Sequence, residues 1–454
     1  MSMEEVPPSL KGHLVVLPFP TTGHVNPMMN LCKFLASRTT DVIITFVVTE
    51  EWLRCIKSHP KPQAIRFTTM PNVVPSESHI LDDMHLFSQS INNKMKAAFE
   101  HLLDQLDPPT VIISDVELKW ASAVAKQRNI PVALLWTMSA SFFCTYRQLD
   151  ILAPGPDRRL TVDLLEKEAE YIQGTEPINL RKLVHEKELG LLKRALDCVP
   201  AVAKTDYLLI NTIEELEAEQ INYLKEKFPF RVYPVGPAIP FTEVEPPSDS
   251  SATATDLDHI IKWLDCQPKL SVLYISMGSL FSMSRPQMEE LASALKTSGV
   301  RFLWACRSEA EWVKHKCGDK GLVVPWCEQL KVLSHSSIAC FWSHGGWNST
   351  VEACFAGVPI LGFPFFLDQF SNCRQITEEW KNGWKVGGER SEKLLRKEEI
   401  MELIKTLMEV ESGEGREKRD KARQVKMLFG KAIAEGGSLD KNLSAFVEDI
   451  VGGC

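Results

Sequence analysis

Two stretches of the chain carry residue types suited to chemistry. The first is Ser343-His344-Gly345-Gly346-Trp347-Asn348-Ser349, which follows the strand-like run Ile338 to Trp342 and opens the helical run Thr350 to Ala356. A helix that starts at a glycine turn has backbone N–H groups without helical partners, aimed outward at any bound anion. Gly345 and Gly346 let the backbone come close to a ligand, and His344, Asn348 and Ser349 add side-chain donors. The constellation suits a pyrophosphate without needing a metal. Taken alone, it suits equally a plain turn in which Ser349 caps a helix.

The second stretch is Pro18-Phe19-Pro20-Thr21-Thr22-Gly23-His24, after the strand-like run His13 to Leu17 and just before a helix. An imidazole there can take the proton of an attacking hydroxyl. Asp115 ends another strand, Thr110 to Ser114, and a carboxylate bonded to one imidazole nitrogen fixes the tautomer and stabilises the imidazolium. By residue type alone, a histidine after a strand is more often a cap or turn residue, and an aspartate at a strand end more often caps the next helix.

The elements that must position these groups alternate regularly. Val42 to Val48 is a nearly continuous β-branched run, the mark of a strand buried on both faces. Strands are also expected at Ala64 to Thr69, Val132 to Leu135, Tyr207 to Ile210 and Val232 to Val235, with helices over Pro27 to Leu35 and Leu86 to Leu106. Strand–helix–strand alternation predicts a parallel sheet covered on both faces. From Pro240 the chain turns to PFTEVEPPSDSSATAT, without apolar period, which reads as an exposed linker. The alternation then restarts with strands at Ser271 to Ile275, Arg301 to Trp304, Ile338 to Trp342 and Pro359 to Phe363, and a helical tail from Arg396. The expectation is an α/β protein of two Rossmann-like, doubly wound parallel-sheet domains, residues 1–239 and 257–454, joined by a linker at 240–256 and facing across a cleft. Such domains bind ligands beyond the carboxyl ends of their strands.

Composition narrows the function classes. The 454 residues fit two cores, and 44% hydrophobic with 24% charged residues is ordinary for a globular protein. A net charge of −8 with no basic run excludes an electrostatic footprint for nucleic acid. The start, MSMEEVPPSLKG, has neither the basic nor the apolar region of a signal peptide, and no run of about 18 apolar residues follows, so no membrane span is expected. The 12 cysteines include no C-x-x-C pair, which points to a reducing, cytoplasmic setting without disulfides or zinc.

The segment from Trp326 to Gln369, WCEQLKVLSHSSIACFWSHGGWNSTVEACFAGVPILGFPFFLDQ, spans 44 positions. Its spacing of Trp-x-x-Gln, His-x-Gly-Trp-Asn-Ser, Glu, Gly-Val-Pro and Asp-Gln resembles the carboxy-terminal signature of plant family-1 UDP-sugar glycosyltransferases. Val235-Gly236-Pro237, Trp263-Leu264-Asp265 and Met277-Gly278-Ser279 stand at further landmarks of that family, so the resemblance covers essentially the full length. It implies the GT-B fold and an inverting transfer from a UDP-sugar. The domain from 1 to 239 would bind the acceptor and that from 257 to 454 the donor, with the last helix, about 436–454, packing back on the first domain. By the same resemblance Trp326 would stack on uracil, the backbone of Cys327 and the side chain of Gln329 would contact the nucleoside, and Glu352 would accept from the ribose hydroxyls. His344, Asn348 and Ser349 would hold the diphosphate with help from Ser279. Asp368 and Gln369 would bond the sugar, and a final Gln with Trp347 inside the motif goes with glucose. His24 and Asp115 would be the catalytic dyad. Thr137 would stand near the transferring sugar and Thr22 near the acceptor. Met84, Phe87, Phe142, Phe143, Phe366, Leu367 and the region 152–174 would line the acceptor pocket.

Departures from the pattern are Cys327-Glu328 where Ala-Pro is common, Gly345 where Cys is usual, and Thr22 where Gln is usual. The expected activity is glucose transfer from UDP-glucose to a hydroxyl of a small lipophile such as a flavonoid, a terpenoid or a hormone-like molecule, by a monomer with no cofactor and no metal. The alternative is a catalytically silent nucleotide-sugar binding protein, against which both His24 and Asp115 speak. A nicotinamide-dependent oxidoreductase ranks last, because G-x-G-x-x-G is missing after the first strand.

Overall fold

The computed structural model describes residues 12–57, 61–77, 80, 84–153, 192–193, 195–241, 254–279, 283–307, 309–365, 368–386, 394–411 and 413–452. The chain divides into two compact units, Met1–Ile239 with Lys431–Cys454, and Pro240–Gly430.

The first unit is built on seven strands: β1 (Gly12–Leu17), β2 (Val42–Thr49), β3 (Ile65–Met70), β4 (Val111–Asp115), β5 (Val132–Trp136), β6 (Tyr207–Ile210) and β7 (Arg231–Pro234). They lie in the order β3-β2-β1-β4-β5-β6-β7 and every neighbouring pair is parallel. All eight residues of β2 are buried, as expected of a nearly continuous apolar and β-branched run. The order reverses between β1 and β4, where Leu17 pairs with Ser114. That reversal is the switch point at which the two halves of a doubly wound sheet part and leave room for a ligand.

The helix Ser438–Gly452 belongs to this unit. Phe446, fully buried, meets the rings of Tyr207 on β6 and Tyr233 on β7, each with centroids 5.7 Å away. Asp449 bonds Arg231 and Tyr233, and Asp440 pairs with Arg38 at 2.9 Å.

The second unit holds six parallel strands: β8 (Val272–Ser276), β9 (Arg301–Ala305), β10 (Gly321–Val324), β11 (Ile338–Ser343), β12 (Ile360–Gly362) and β13 (Gly383–Lys385), in the order β10-β9-β8-β11-β12-β13. Its switch point lies between β8 and β11, where Ser276 pairs with Ser343. Trp304 and Trp342 anchor a core shared with Leu291, Leu295, Ile400 and Ile404.

The structure differs from the sequence reading in three places. β10 and β13 were not expected: Gly-Leu-Val-Val and Gly-Trp-Lys are too short to show a period, and both are edge strands supported by a single neighbour. The expected helix over Leu86 to Leu106 is instead Met84–Gln89, a π-helical turn Ser90–Met95, and Lys96–Leu103. The helix expected from Pro27 runs from Thr22 to Arg38 with Pro27 inside it. His24 therefore sits in the first helical turn and not in a loop before it.

Candidate active site

In the first unit the switch point brings together His24, Asp115 and Thr137. Asp115 is the last residue of β4, and Thr137 follows β5. The Nδ1 of His24 lies 2.7 Å from Oδ2 of Asp115 and 3.2 Å from Oγ1 of Thr137. Asp115 is 1% exposed, and its second oxygen accepts from the backbone N–H of Glu117 at 2.9 Å. The carboxylate is thus held from both ends, and it holds Nδ1 in its protonated form, which leaves Nε2 as the basic nitrogen. Phe19 covers one side of the imidazole with centroids 5.2 Å apart, and Phe87 packs edge-on against Phe19.

Burial by itself drives the His24 pKa down. The Asp115 charge and hydrogen bond, joined by Glu117 and Glu77, outweigh it and leave the imidazole more basic than an ordinary histidine. Glu117 is itself pushed up by burial, with Lys119 acting against that shift and Asp115 adding to it.

Thr22 is committed elsewhere. Its backbone N–H and hydroxyl donate to the two oxygens of Glu77, at 3.1 and 2.6 Å. Thr21, the residue preceding the helix, makes no side-chain cap bond, so a carboxylate from a distant loop caps the His24 helix instead. Glu77 was not singled out from sequence. It lies in a stretch without period, and the one signal available was the unusual Thr22.

Phe142 and Phe143 are both buried, in an aromatic cluster with Trp136 and Tyr146. Their helix, Ala140–Leu152, is fixed by the buried Glu217, whose carboxylate accepts from the N–H groups of Ala140 and Ser141, each at 2.9 Å. Phe366, Leu367, residues 154–174 and the side chain of Met84 lie outside the described residues.

In the second unit the turn after β11 leads into the helix Trp347–Ala356. Gly346 stands at its N-cap and makes no side-chain cap bond, and the first turn holds no acidic residue. A helix start of this kind presents its leading N–H groups and the positive end of its dipole to an anion. Gly345 adopts φ +77°, and a Cβ there would lie 2.7 Å from the Cys373 sulfur. The imidazole of His344 is wedged between Gly278 and Gly346, where a Cβ would come within 2.8 and 2.3 Å of it. Burial lowers its pKa to about 4, so the ring is neutral at physiological pH. Its Nδ1 is buried with no hydrogen-bond partner among the described residues. A buried, unpaired ring nitrogen at an uncapped helix start fits a ligand rich in hydrogen-bonding oxygens.

The other donor-site candidates form two connected groups. Gln329 opens the short helix Gln329–Leu333, and its Nε2 donates to Ser349 Oγ and Glu352 Oε2, both at 2.9 Å. Burial pushes Glu352 up to about 7, against the opposing pull of the Gln329 bond. Trp326, three residues before Gln329, is 60% exposed, so an aromatic face is open to stack on a base. Asp368 begins the helix Asp368–Arg374 and accepts from Asn372 Nδ2 at 2.9 Å; the same Nδ2 donates to the carbonyl of Gly345 at 2.9 Å. Asn372, not singled out from sequence, thus ties Asp368 to the glycine turn. Gln369 is buried, and its Oε1 accepts from the Phe365 N–H at 2.7 Å. Trp347 is buried beside Trp380, Cys327 is buried, Asn348 is half-buried and Ser279 is exposed just beyond β8. Among the described residues no group of three or more His, Cys, Asp or Glu is arranged to hold a metal ion, and no helix is long and apolar enough to cross a membrane.

Comparison with known proteins bears on the family and the fold. Residues 206–412 match the family model for UDP-glucoronosyl and UDP-glucosyl transferases. UDP-glycosyltransferase 87A2 of Arabidopsis thaliana is 40% identical over 460 residues, covering 99% of both chains. The structure of Phytolacca americana UGT2 complexed with UDP-2fluoro-glucose and pterostilbene superposes with a TM-score of 0.78 at 26% identity, over 97% of this chain and 99% of that one. The Medicago truncatula UGT71G1 structure, complexed with UDP-glucose, matches in fold with a TM-score of 0.82 at 24% identity, over 97% of this chain and 98% of that one. Identity of this degree, sustained from end to end over two Rossmann-like units, means that the chain belongs to the plant family-1 UDP-glycosyltransferases, enzymes of GT-B fold that use a UDP-sugar as donor.

Proposed function

We propose that the enzyme transfers glucose from UDP-glucose, with inversion, to a hydroxyl of a small lipophilic acceptor such as a flavonoid, a terpenoid or a hormone-like molecule. The first unit supplies the base and the second holds the nucleotide sugar. The observation that carries the reading is the 2.7 Å bond between His24 Nδ1 and Asp115 Oδ2, with Nε2 left to act. The acceptor hydroxyl gives its proton to Nε2 as its oxygen attacks the anomeric carbon. The bond from that carbon to the diphosphate oxygen breaks, and UDP leaves. Asp115 stabilises the imidazolium that forms.

In the second unit Trp326 stacks on the uracil, beside the Cys327 backbone and Gln329, and Glu352 accepts from the ribose hydroxyls. The N-terminus of the helix Trp347–Ala356, with His344, Asn348, Ser349 and Ser279, meets the diphosphate. Asp368 and Gln369 bond the sugar. Support for glucose comes from Gln369 and Trp347 in the signature and from the glucose-type donor in the Phytolacca complex. Pterostilbene, a phenol in that same complex, supports the hydroxylated lipophile.

The test is His24→Ala, assayed by product mass against a set of phenols and terpenols with UDP-glucose, beside calorimetry with UDP. Turnover should fall roughly 100- to 10,000-fold, the range expected when a positioned base is removed, while UDP affinity stays within about twofold. Full turnover by the variant would remove His24 as the base.

A further inference from the structure

Tyr274 has no part in the reading above, yet it is bonded to the Gln329 side chain assigned to the nucleoside. It lies within β8, is 1% exposed, and its ring is stacked on Phe341 of the neighbouring β11, with centroids 4.8 Å apart and planes 14° apart. The phenol O–H donates to Oε1 of Gln329 at 3.2 Å. Cys327 Sγ lies 3.3 Å from the phenol oxygen, and the Ser276 hydroxyl is also bonded to it. Burial raises the phenol well above its usual range and pushes the Cys327 thiol up to about 12, so both keep their protons at physiological pH.

A primary amide has one acceptor end and one end with two donors, and the two flips exchange them. At the far end of Gln329 stand Ser349 and Glu352, each 2.9 Å from Nε2. An ionised Glu352 only accepts, so an amide oxygen turned toward it would set acceptor against acceptor. The phenol O–H holds the oxygen at the opposite end. The phenol can also accept, so the ionised Glu352 selects the flip, and the Tyr274 O–H pairs the amide oxygen that this flip turns toward it.

We propose that Tyr274 is a positioning residue for the nucleotide: it locks the Gln329 amide in the flip that holds the Glu352 carboxylate ready for the ribose hydroxyls. The proposal rests on the donor-site reading above. Tyr274 touches no substrate; its effect passes through Gln329 and is confined to the part of the affinity that comes from the ribose hydroxyls.

The experiment is calorimetric titration of wild type, Tyr274→Phe, Gln329→Leu and the double variant with UDP and with 2′,3′-dideoxy-UDP. Tyr274→Phe keeps the ring and its stacking. It should weaken UDP roughly tenfold, the usual scale for a buried hydrogen-bonded group left without its partner, and change dideoxy-UDP by less than about twofold. Added to Gln329→Leu it should cost nothing further, because the two residues act in series. Equal weakening of both nucleotides, undiminished UDP binding, or additive losses would each overturn the proposal. If wild type itself took up no UDP, the donor-site reading would fall and this proposal with it. If wild type bound UDP and Tyr274→Phe bound it equally well, the tyrosine role alone would fall. Should the variant not fold, the side-chain amide protons of Gln329 in the wild type decide the matter. Held at both ends they exchange slowly with solvent, and free exchange would refute the lock.

Discussion

Glu352→Gln should make the protein more stable and a poorer binder of UDP, and the size of the first effect follows from the carboxyl's surroundings. Burial raises Glu352 from 4.5 to about 7. Between those values the folded protein keeps a proton that an unfolded chain has released. Stability therefore falls as pH rises through the window, and the full cost stands above it. A raise of that size corresponds to roughly 3 kcal/mol at pH 8.5, taken as a ceiling, and less than about 1 kcal/mol at pH 5. Glutamine has nearly the same shape and no charge to desolvate. For a unit of this size the ceiling translates into a melting temperature higher by roughly 5–10 °C at pH 8.5, shrinking to a degree or two at pH 5. If the carboxylate accepts from the ribose, UDP affinity should fall roughly 10- to 100-fold, the scale of a hydrogen bond to a charged group. Thermal melts of both proteins at the two pH values, with and without UDP, read both effects. A variant no more stable than wild type at pH 8.5 would refute the burial argument. Equal stabilisation of both proteins by UDP would refute the ribose contact.

Three further perturbations have definite expected outcomes. Glu77→Gln keeps an acceptor for the Thr22 N–H but removes a charge that raises His24; the acid limb of the pH profile of kcat/KM should move down, and an unmoved limb would take Glu77 out of the field at His24. Gly345→Ala forces a left-handed backbone, φ +77°, onto a residue with a Cβ and sets that atom 2.7 Å from the Cys373 sulfur; urea unfolding should show a loss of about 2 kcal/mol or more, partly restored by Cys373→Ala. Gln369→His loses the amide oxygen that accepts from Phe365; competition between UDP-glucose and its C4 epimer should show a changed product ratio, and an unchanged ratio would place sugar choice elsewhere.

Much of the fold was legible because long buried strands advertise themselves. Val42 to Val48 reads as a doubly covered strand from its residue types alone, and the alternation around it fixes a parallel sheet. Position 24 stood out as a candidate because a histidine behind the first strand of such a sheet stands near its switch point. The helix boundary there was not. Pro27 marks a helix start by local rule, but the Glu77 carboxylate, more than fifty residues away in sequence, caps the helix at Thr22 and carries it back over His24. The edge strands β10 and β13 were illegible because Gly-Leu-Val-Val and Gly-Trp-Lys open on glycine, which is depleted in strands, and hold too few apolar residues to mark a run. Tyr274 and Asn372 escaped because a strand tyrosine and a helix asparagine look like core and surface; only the fold puts one beside Gln329 and the other beside Gly345.

The two units use one device with opposite electrostatics. Each places an imidazole at the switch point of a parallel sheet, His24 beyond β1 and His344 beyond β11. In the first, a buried carboxylate at 2.7 Å overcomes desolvation and makes the ring ready to carry charge, as the proposed role of base requires. In the second, no such partner is bonded to the ring among the described residues; two glycine backbones enclose it, and burial holds it neutral, with a pKa of about 4. A neutral ring can offer a hydrogen bond to a diphosphate oxygen without carrying a proton to the leaving UDP, and it does not need a counter-charge when the site is empty. Exchanging the surroundings should therefore exchange the roles. A carboxylate introduced beside His344 would raise its pKa, make nucleotide affinity depend on pH near neutrality, and slow UDP release. Asp115→Asn would leave His24 poorly basic, lowering turnover with little change in donor affinity. A loss of donor affinity in Asp115→Asn as large as its loss of turnover would show that the two imidazoles are not specialised in this way.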